Sequence, residues 1–208
     1  MKATTLLQAV HSMGRMNYPD ASKKWITVMH QLGSRIGLAH GVAMSSVGKL
    51  DMMLRQLESE HLEELALPEE SEDASFITDQ ISVFSDSWLL AAYEVIRAAR
   101  AQGATDPKIV SLYEQLTLAR IPVAKAEISG ADRYKNKHKV LPNLMLYPVG
   151  DGPDNSPKAY AHDGSYIVPK GVCAETGAIV WYPIDLASQQ TVAVCRRDLS
   201  DSFLGLFD

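Results

Sequence analysis

Arg35 and His40, five residues apart, are the pair in this sequence best matched to a reaction. A guanidinium offers a two-pronged donor fork for a phosphate, and an imidazole exchanges a proton near neutral pH. Together they suit phosphodiester cleavage; the bland alternative for His40 is a hydrogen-bonded histidine in a helical interface. Trp88, Tyr93, Glu94 and Arg97 border an apolar run, and Trp181 lies far downstream. Brought together, these five could line a pocket for a small ligand. Glu94 and Arg97, three apart, can equally pair with each other on a helix. Arg133, Lys135, Lys137, His138 and Lys139 form a basic block that could hold an anion. Its one aromatic, Tyr134, gives no platform for stacking bases. Cys173 and Cys195 are too few for a disulfide scaffold. Arg196 and Arg197 beside Cys195 could favour its thiolate.

Other chemistries lack their residues. None of the six histidines pairs with another at helical spacing around a glutamate, and no C-x-x-C occurs. His162-Asp163 is only an adjacent pair. No metal site is expected. Neither a Walker loop, nor G-x-G-x-x-G, nor G-x-S-x-G is present, so no cofactor is expected.

The elements that must position these residues can be read from the spacing of apolar side chains. Trp25, Met29, Leu32, Ile36, His40, Ala43, Val47, Leu50, Leu54, Leu57 and His61 follow one another four or three apart. That is a heptad seam, which no strand produces. Asp20 or Ser22 can cap its start. A continuous helix from about 20 to 65 would be on the order of 65 Å long. Gly33, Gly37 and Gly41 interrupt it, each costing about 1 kcal/mol against alanine. They predict either a break near Gly33 or a ridge where another helix approaches closely, within the chain or from a second copy. A second helix is predicted from the seam Ile77, Ile81, Phe84, Trp88, Ala91, Val95 and Ala98, capped by Asp73 or Ser75 and stopped at Gly103. A third begins at Asp106-Pro107, with Ile109, Leu112, Leu116 and Ala119 on its face, and Pro122 should end or kink it.

Near residue 130 the pattern changes. Prolines cluster at 142, 148, 153, 157, 169 and 183 among short β-type runs, Asn143–Tyr147, Ser165–Val168, Ala178–Tyr182 and Gln190–Cys195. A short amphipathic helix, Asp198 to Phe207, follows. The expected architecture is α+β: an antiparallel bundle of three to four helices over 1–130, then a small antiparallel sheet and a C-terminal helix over 131–208 that lean on the bundle.

The R-x4-H spacing of Arg35 and His40 resembles the R-x4-6-H pair of HEPN-type helical ribonucleases. The resemblance implies an arginine on the scissile phosphate and a histidine acting as acid or base, with two copies meeting across a dimer and RNA as partner. It covers six residues. Ile36 departs from it, since a polar residue usually follows the arginine, and so does its position in the first long helix.

The chain has 208 residues, 46% hydrophobic and 22% charged, with net charge -5. Those values are ordinary for a soluble globular protein and argue against nucleic-acid binding by bulk charge. No apolar run is long enough to cross a membrane, and Met1 to Val10 lack the pattern of a signal peptide, so a cytoplasmic location is expected. The charge is uneven: Glu58, Glu60, Glu63, Glu64, Glu69, Glu70, Glu72 and Asp73 form an acidic block opposite in sign to 133–139. The leading expectation is a non-enzymatic helical interaction module that forms homo-oligomers through the glycine-bearing seam, with a protein partner possible. The alternatives are the HEPN-like ribonuclease and a small-ligand sensor with its pocket between bundle and sheet.

Overall fold

The computed structural model describes residues 2–66, 76–133, 145–146, 158–159 and 165–208. Helices α1 (Ala3–Asn17), α2 (Pro19–Ile36), α3 (Leu38–Leu65), α4 (Ile77–Ala101) and α5 (Pro107–Lys125) come first. Among the described residues seven short strands follow: β1 (Met145–Leu146), β2 (Lys158–Ala159), β3 (Lys170–Val172), β4 (Ile179–Trp181), β5 (Ile184–Asp185), β6 (Gln190–Thr191) and β7 (Val194–Cys195). Helix α6 (Arg196–Leu204) comes last. The fold is α+β, with packed N-terminal helices, a small antiparallel sheet and a C-terminal helix.

The long seam is broken, but at Gly37 rather than Gly33. Gly37 has φ 102° and ψ 152°, a region essentially reserved for glycine. Gly33 serves the other purpose: a Cβ built on it would lie 3.3 Å from the Cα of Gly41. The turn folds α3 back on α2, and small residues let the two backbones touch within one chain. Gly48 makes room for the Trp25 ring, 3.1 Å from where its Cβ would stand. The break also resets the phase of the seam. His40 is half-buried and Ala43 exposed, while α3 buries Met44, Val47, Asp51, Leu54, Glu58 and His61.

Helix α1 was not foreseen. It passes α3 so closely that a Cβ on Gly14 would sit 2.0 Å from the Met52 carbonyl oxygen. Asn17 Nδ2 donates to Gln56 Oε1 at 2.8 Å. These two contacts, at nearly equal sequence offsets, show that α1 and α3 run in the same direction. Neither Asp20 nor Ser22 caps α2; Pro19 opens it after Tyr18, with no side-chain cap. The expected caps of α4, Asp73 and Ser75, lie outside the described residues. Asp106 caps α5 as the sequence implies, accepting from the Lys108 amide at 2.9 Å.

Pro122 does not end α5, which runs one turn further to a left-handed Ala126 (φ 52°). Pro122 forfeits the one ladder bond its amide would have made, but its carbonyl still accepts from the Ala126 amide at 3.0 Å, and the last turn closes.

The expected β runs are redistributed. The sheet proper is β3-β4-β7, all antiparallel, and β1-β2 and β5-β6 are separate two-stranded ribbons. Ser165–Val168 forms no strand, and Gln190–Cys195 divides into β6 and β7. Pro183 cannot extend β4, since proline has no amide for the ladder; its carbonyl instead accepts from Val192 between β6 and β7. Core residues of both parts form one cluster: Trp88 and Leu89 of α4 belong with Ile179 and Trp181 of β4 and Leu199 and Phe203 of α6. Trp181 Nε1 donates to Asp86 Oδ1 at 2.9 Å, and Asp86 also pairs with Lys170 at 2.6 Å, fastening the sheet to α4.

Candidate functional site

The densest polar chemistry lies where α6 crosses α3. The buried face of α3 carries Asp51 and Glu58 two turns apart, both fully buried. Opposite them α6 presents Arg196, also fully buried, with Arg197 and Ser200. Two cations in the first turn oppose the helix dipole; the carboxylates of α3 compensate. Arg196 Nε and Nη2 grip Glu58 Oε1 and Oε2 at 2.5 and 2.6 Å, and its Nη1 reaches Asp51 Oδ1 at 2.5 Å. Arg197 donates twice to Glu58 Oε2, at 3.0 and 2.6 Å.

Asp51 is the hub. Its Oδ1 also accepts from Ser200 Oγ at 2.7 Å. Its Oδ2 accepts from Trp25 Nε1 at 2.7 Å and Arg55 Nε at 2.8 Å. Arg55 continues to Ser200 Oγ at 2.9 Å and to Asp201. The Tyr18 ring lies beneath Arg197, 5.4 Å from Cζ to centroid, and the Trp88 ring beneath Arg196 at 5.6 Å. Asp51, Glu58 and Asp201 face Arg55, Arg196 and Arg197, so formal charge balances within the cluster.

Burial alone would push the Asp51 carboxyl up. Arg196, Arg55 and the Ser200 hydroxyl outweigh it and hold the carboxyl at about 2. Burial would likewise lower Arg55 and Arg196, yet their carboxylate partners raise both. Every carboxylate oxygen of Asp51 and Glu58 already accepts a hydrogen bond. Through these bonds the cluster ties α6 to α3.

Neighbouring contacts extend the clamp. His61 Nε2 lies 3.0 Å from Thr78 Oγ1, and His61 Nδ1 lies 3.4 Å from the Gly177 carbonyl. Gly177 (φ 69°) presses on the α3 backbone; a Cβ there would lie 2.2 Å from the Glu58 carbonyl oxygen.

The residues singled out by sequence are scattered. Arg35 is exposed at the end of α2 and stacks over Phe207 at 4.9 Å, while His40 lies beyond Gly37 in the first turn of α3. The pair therefore does not share one helix. Trp88 and Trp181 are fully buried toward α6 and the sheet. The Trp88 indole N–H has no hydrogen-bond partner among the described residues. Tyr93 instead meets α5, stacking on Tyr113 at 5.7 Å with Arg120 over its ring at 4.9 Å. Glu94 and Arg97 pair with each other at 2.7 Å. Arg133 is exposed; Lys135, Lys137, His138 and Lys139 lie outside the described residues.

Glu58, counted with the acidic block, is the buried partner of Arg196 and Arg197. Those arginines do not activate Cys195: burial pushes its thiol up. Both cysteines are free.

No protein-family model, curated protein or solved structure matches this chain. Function must therefore be argued from its own geometry.

Two surface features remain. A cavity of about 200 Å³ opens between α1, α2 and α3, with Trp25, Met44 and Met52 among its walls and His11, Arg15 and Lys49 at its polar side. Burial, then Arg15 and Lys49, hold the His11 imidazole below its ordinary pKa. Large apolar side chains are also exposed around the start of α1 and of α3: Leu6 46%, Leu7 49%, Leu38 87% and Val42 71%. Among the described residues, no group of three or more histidine, cysteine or acidic side chains is placed to hold a metal. No described helix is long and apolar enough to cross a membrane.

Sequence reasoning missed Asp51, Arg55 and Arg196 as a unit. A signal existed: Asp51 and Glu58 are seven apart, the heptad interval, on a helix whose other positions at that phase are apolar.

Proposed function

We propose that this chain is a non-enzymatic protein-interaction module that associates with a second copy of itself. One observation carries the reading: α1 buries only Gly14, although Leu6, Leu7 and Met13 are large apolar residues. Val10 also packs against the core, but the two leucines and Met13 stay exposed and are left for something outside the fold. At the offset of the Gly14–Met52 and Asn17–Gln56 contacts, Leu6 and Leu7 are level with Met44 and Ser45 of α3, within a turn of the exposed Val42. The heptad seam itself is filled from within, since Gly33 meets Gly41, so we assign the contact to this outer face. An apolar patch is self-complementary under two-fold symmetry, each copy giving the same surface it receives.

The ribonuclease reading has less support, because Arg35 rests on Phe207 and Gly37 breaks the helix between it and His40. Light scattering at micromolar concentration tests the proposal. The wild type is expected as a dimer, and Leu6→Glu with Val42→Glu as a monomer of unchanged melting temperature. A wild type that is strictly monomeric refutes it.

A further inference from the structure

We propose that the cavity between α1, α2 and α3 binds a small amphipathic anion, an apolar body ending in a carboxylate or phosphate. The inner wall supplies the apolar contacts. Trp25 of α2 and Met44 and Met52 of α3 are buried core residues that also line the cavity. Methionine is unbranched and polarizable, so such a wall adapts to varied apolar shapes. The polar side supplies charge of one sign, Arg15 from α1 and Lys49 from α3, with the His11 imidazole of α1 as a further polar group. No carboxylate lines the cavity among the described residues, and neither Arg15 nor Lys49 forms an ion pair among them. Both side chains are exposed at the rim, where they can reach the anionic end of a ligand whose body lies against the apolar wall. The depressed His11 imidazole reports the same field, with its burial joined by two uncompensated cations. A neutral apolar ligand would leave that field unanswered, and a cationic one would be repelled by it.

The cavity is also wired to the ionic cluster. Trp25 forms its wall, donates to Asp51 at 2.7 Å and packs on Phe203 of α6 at 5.3 Å between ring centroids. The Trp25 indole N–H is therefore a built-in reporter of occupancy.

The full chain is titrated with octanoate and with octyl phosphate, and with octanol and octylammonium as neutral and cationic counterparts. Binding is read by calorimetry and by the Trp25 indole N–H resonance, assigned through Trp25→Phe. At least one anion is expected to bind saturably and shift that resonance, the tighter one naming the head group. Octanol should bind at least about tenfold more weakly, the equivalent of one charge-assisted contact, and octylammonium not at all. Arg15→Gln with Lys49→Gln should weaken anion binding about tenfold or more. Lys49→Gln alone, at an exposed position, serves if the double variant fails to fold. Silence of the Trp25 resonance to both anions overturns the proposal. So does equal binding of octanol or octylammonium, or undiminished anion binding in the charge variants.

Discussion

Glu58→Gln is the most informative single change in this molecule. It preserves shape and removes one charge from a fully buried site. Glu58 accepts Arg196 through both oxygens and Arg197 twice through Oε2. A glutamine offers one carbonyl oxygen and turns an N–H donor toward the guanidiniums. Arg197 is only partly buried and can turn to solvent, but Arg196 is fully buried and cannot. Stranding one partner of a buried ion pair costs about 3–5 kcal/mol. Asp51 still faces Arg196 at 2.5 Å, which puts the expected loss at the lower end, about 3 kcal/mol. For a chain of this size each kcal/mol moves Tm by about 2–4 °C, so the melting temperature should fall by about 6–12 °C. Thermal and urea unfolding followed by circular dichroism measure it. Arg196→Met completes a double-mutant cycle. With both partners neutral neither is stranded, so the double variant should lose less than the two singles together, by at least about 1 kcal/mol. A Glu58→Gln protein that melts within about 1 °C of wild type, or additive singles, would refute the idea that this pair holds α6 to α3.

Asp51 gives a pH prediction. Its folded pKa is about 2 against an unfolded value of 3.8, so the unfolded chain binds the extra proton in that interval. The group should contribute about 2 kcal/mol at neutral pH, lost progressively as pH falls from about 4 toward 2. Urea midpoints of wild type and Asp51→Asn across that range check it; equal slopes for both proteins count against it. Gly37→Ala should destabilise by about 1–3 kcal/mol, because a Cβ is strained at φ 102° although nothing lies within 4 Å of it; an unchanged denaturation midpoint would show that the turn is not constrained. Gly14→Ala forces a Cβ to within 2.0 Å of the Met52 carbonyl oxygen, so α1 must shift, at a cost of about 1–3 kcal/mol. Hydrogen exchange should then show α1 amides losing protection while those of α4 keep theirs, and uniform protection contradicts the close approach.

The helices of the core were legible because burial there follows a period that apolar residues display. The seams beginning at Trp25 and Ile77 lead to α2, α3 and α4, and Asp106-Pro107 marks the start of α5. Helix α1 escaped because its one fully buried residue is Gly14, which carries no apolar signal, and only Val10 packs beside it on the core, while its leucines and methionines are exposed. The break was displaced by four residues because three glycines at equal spacing look alike in sequence. Only the structure separates Gly37, which needs its left-handed backbone, from Gly33 and Gly41, which need only to be small. The ionic cluster was hidden for another reason. The heptad spacing of Asp51 and Glu58 places them on the buried phase of α3 but does not name Arg196, their shared partner 145 and 138 residues away. Long-range pairing of charges has no periodicity to read.

The need for that cluster follows from the size of α6. A helix of nine residues buries few side chains, chiefly Leu199, Phe203 and Leu204. Apolar contact alone would hold such a helix firmly but specify its register loosely, because hydrophobic burial has no direction. The guanidinium fork does have one. Arg196 must span Glu58 and Asp51, about 10 Å apart along α3, and Ser200, one turn later, must meet Asp51 and Arg55 at the same time. Sliding α6 by a residue in either direction would break both conditions and leave a charge buried without a partner. Wrong dockings are thus excluded by desolvation, while Trp25 against Phe203 and the apolar core favour the right one. The chain commits these charged residues to one arrangement of α6 on α3.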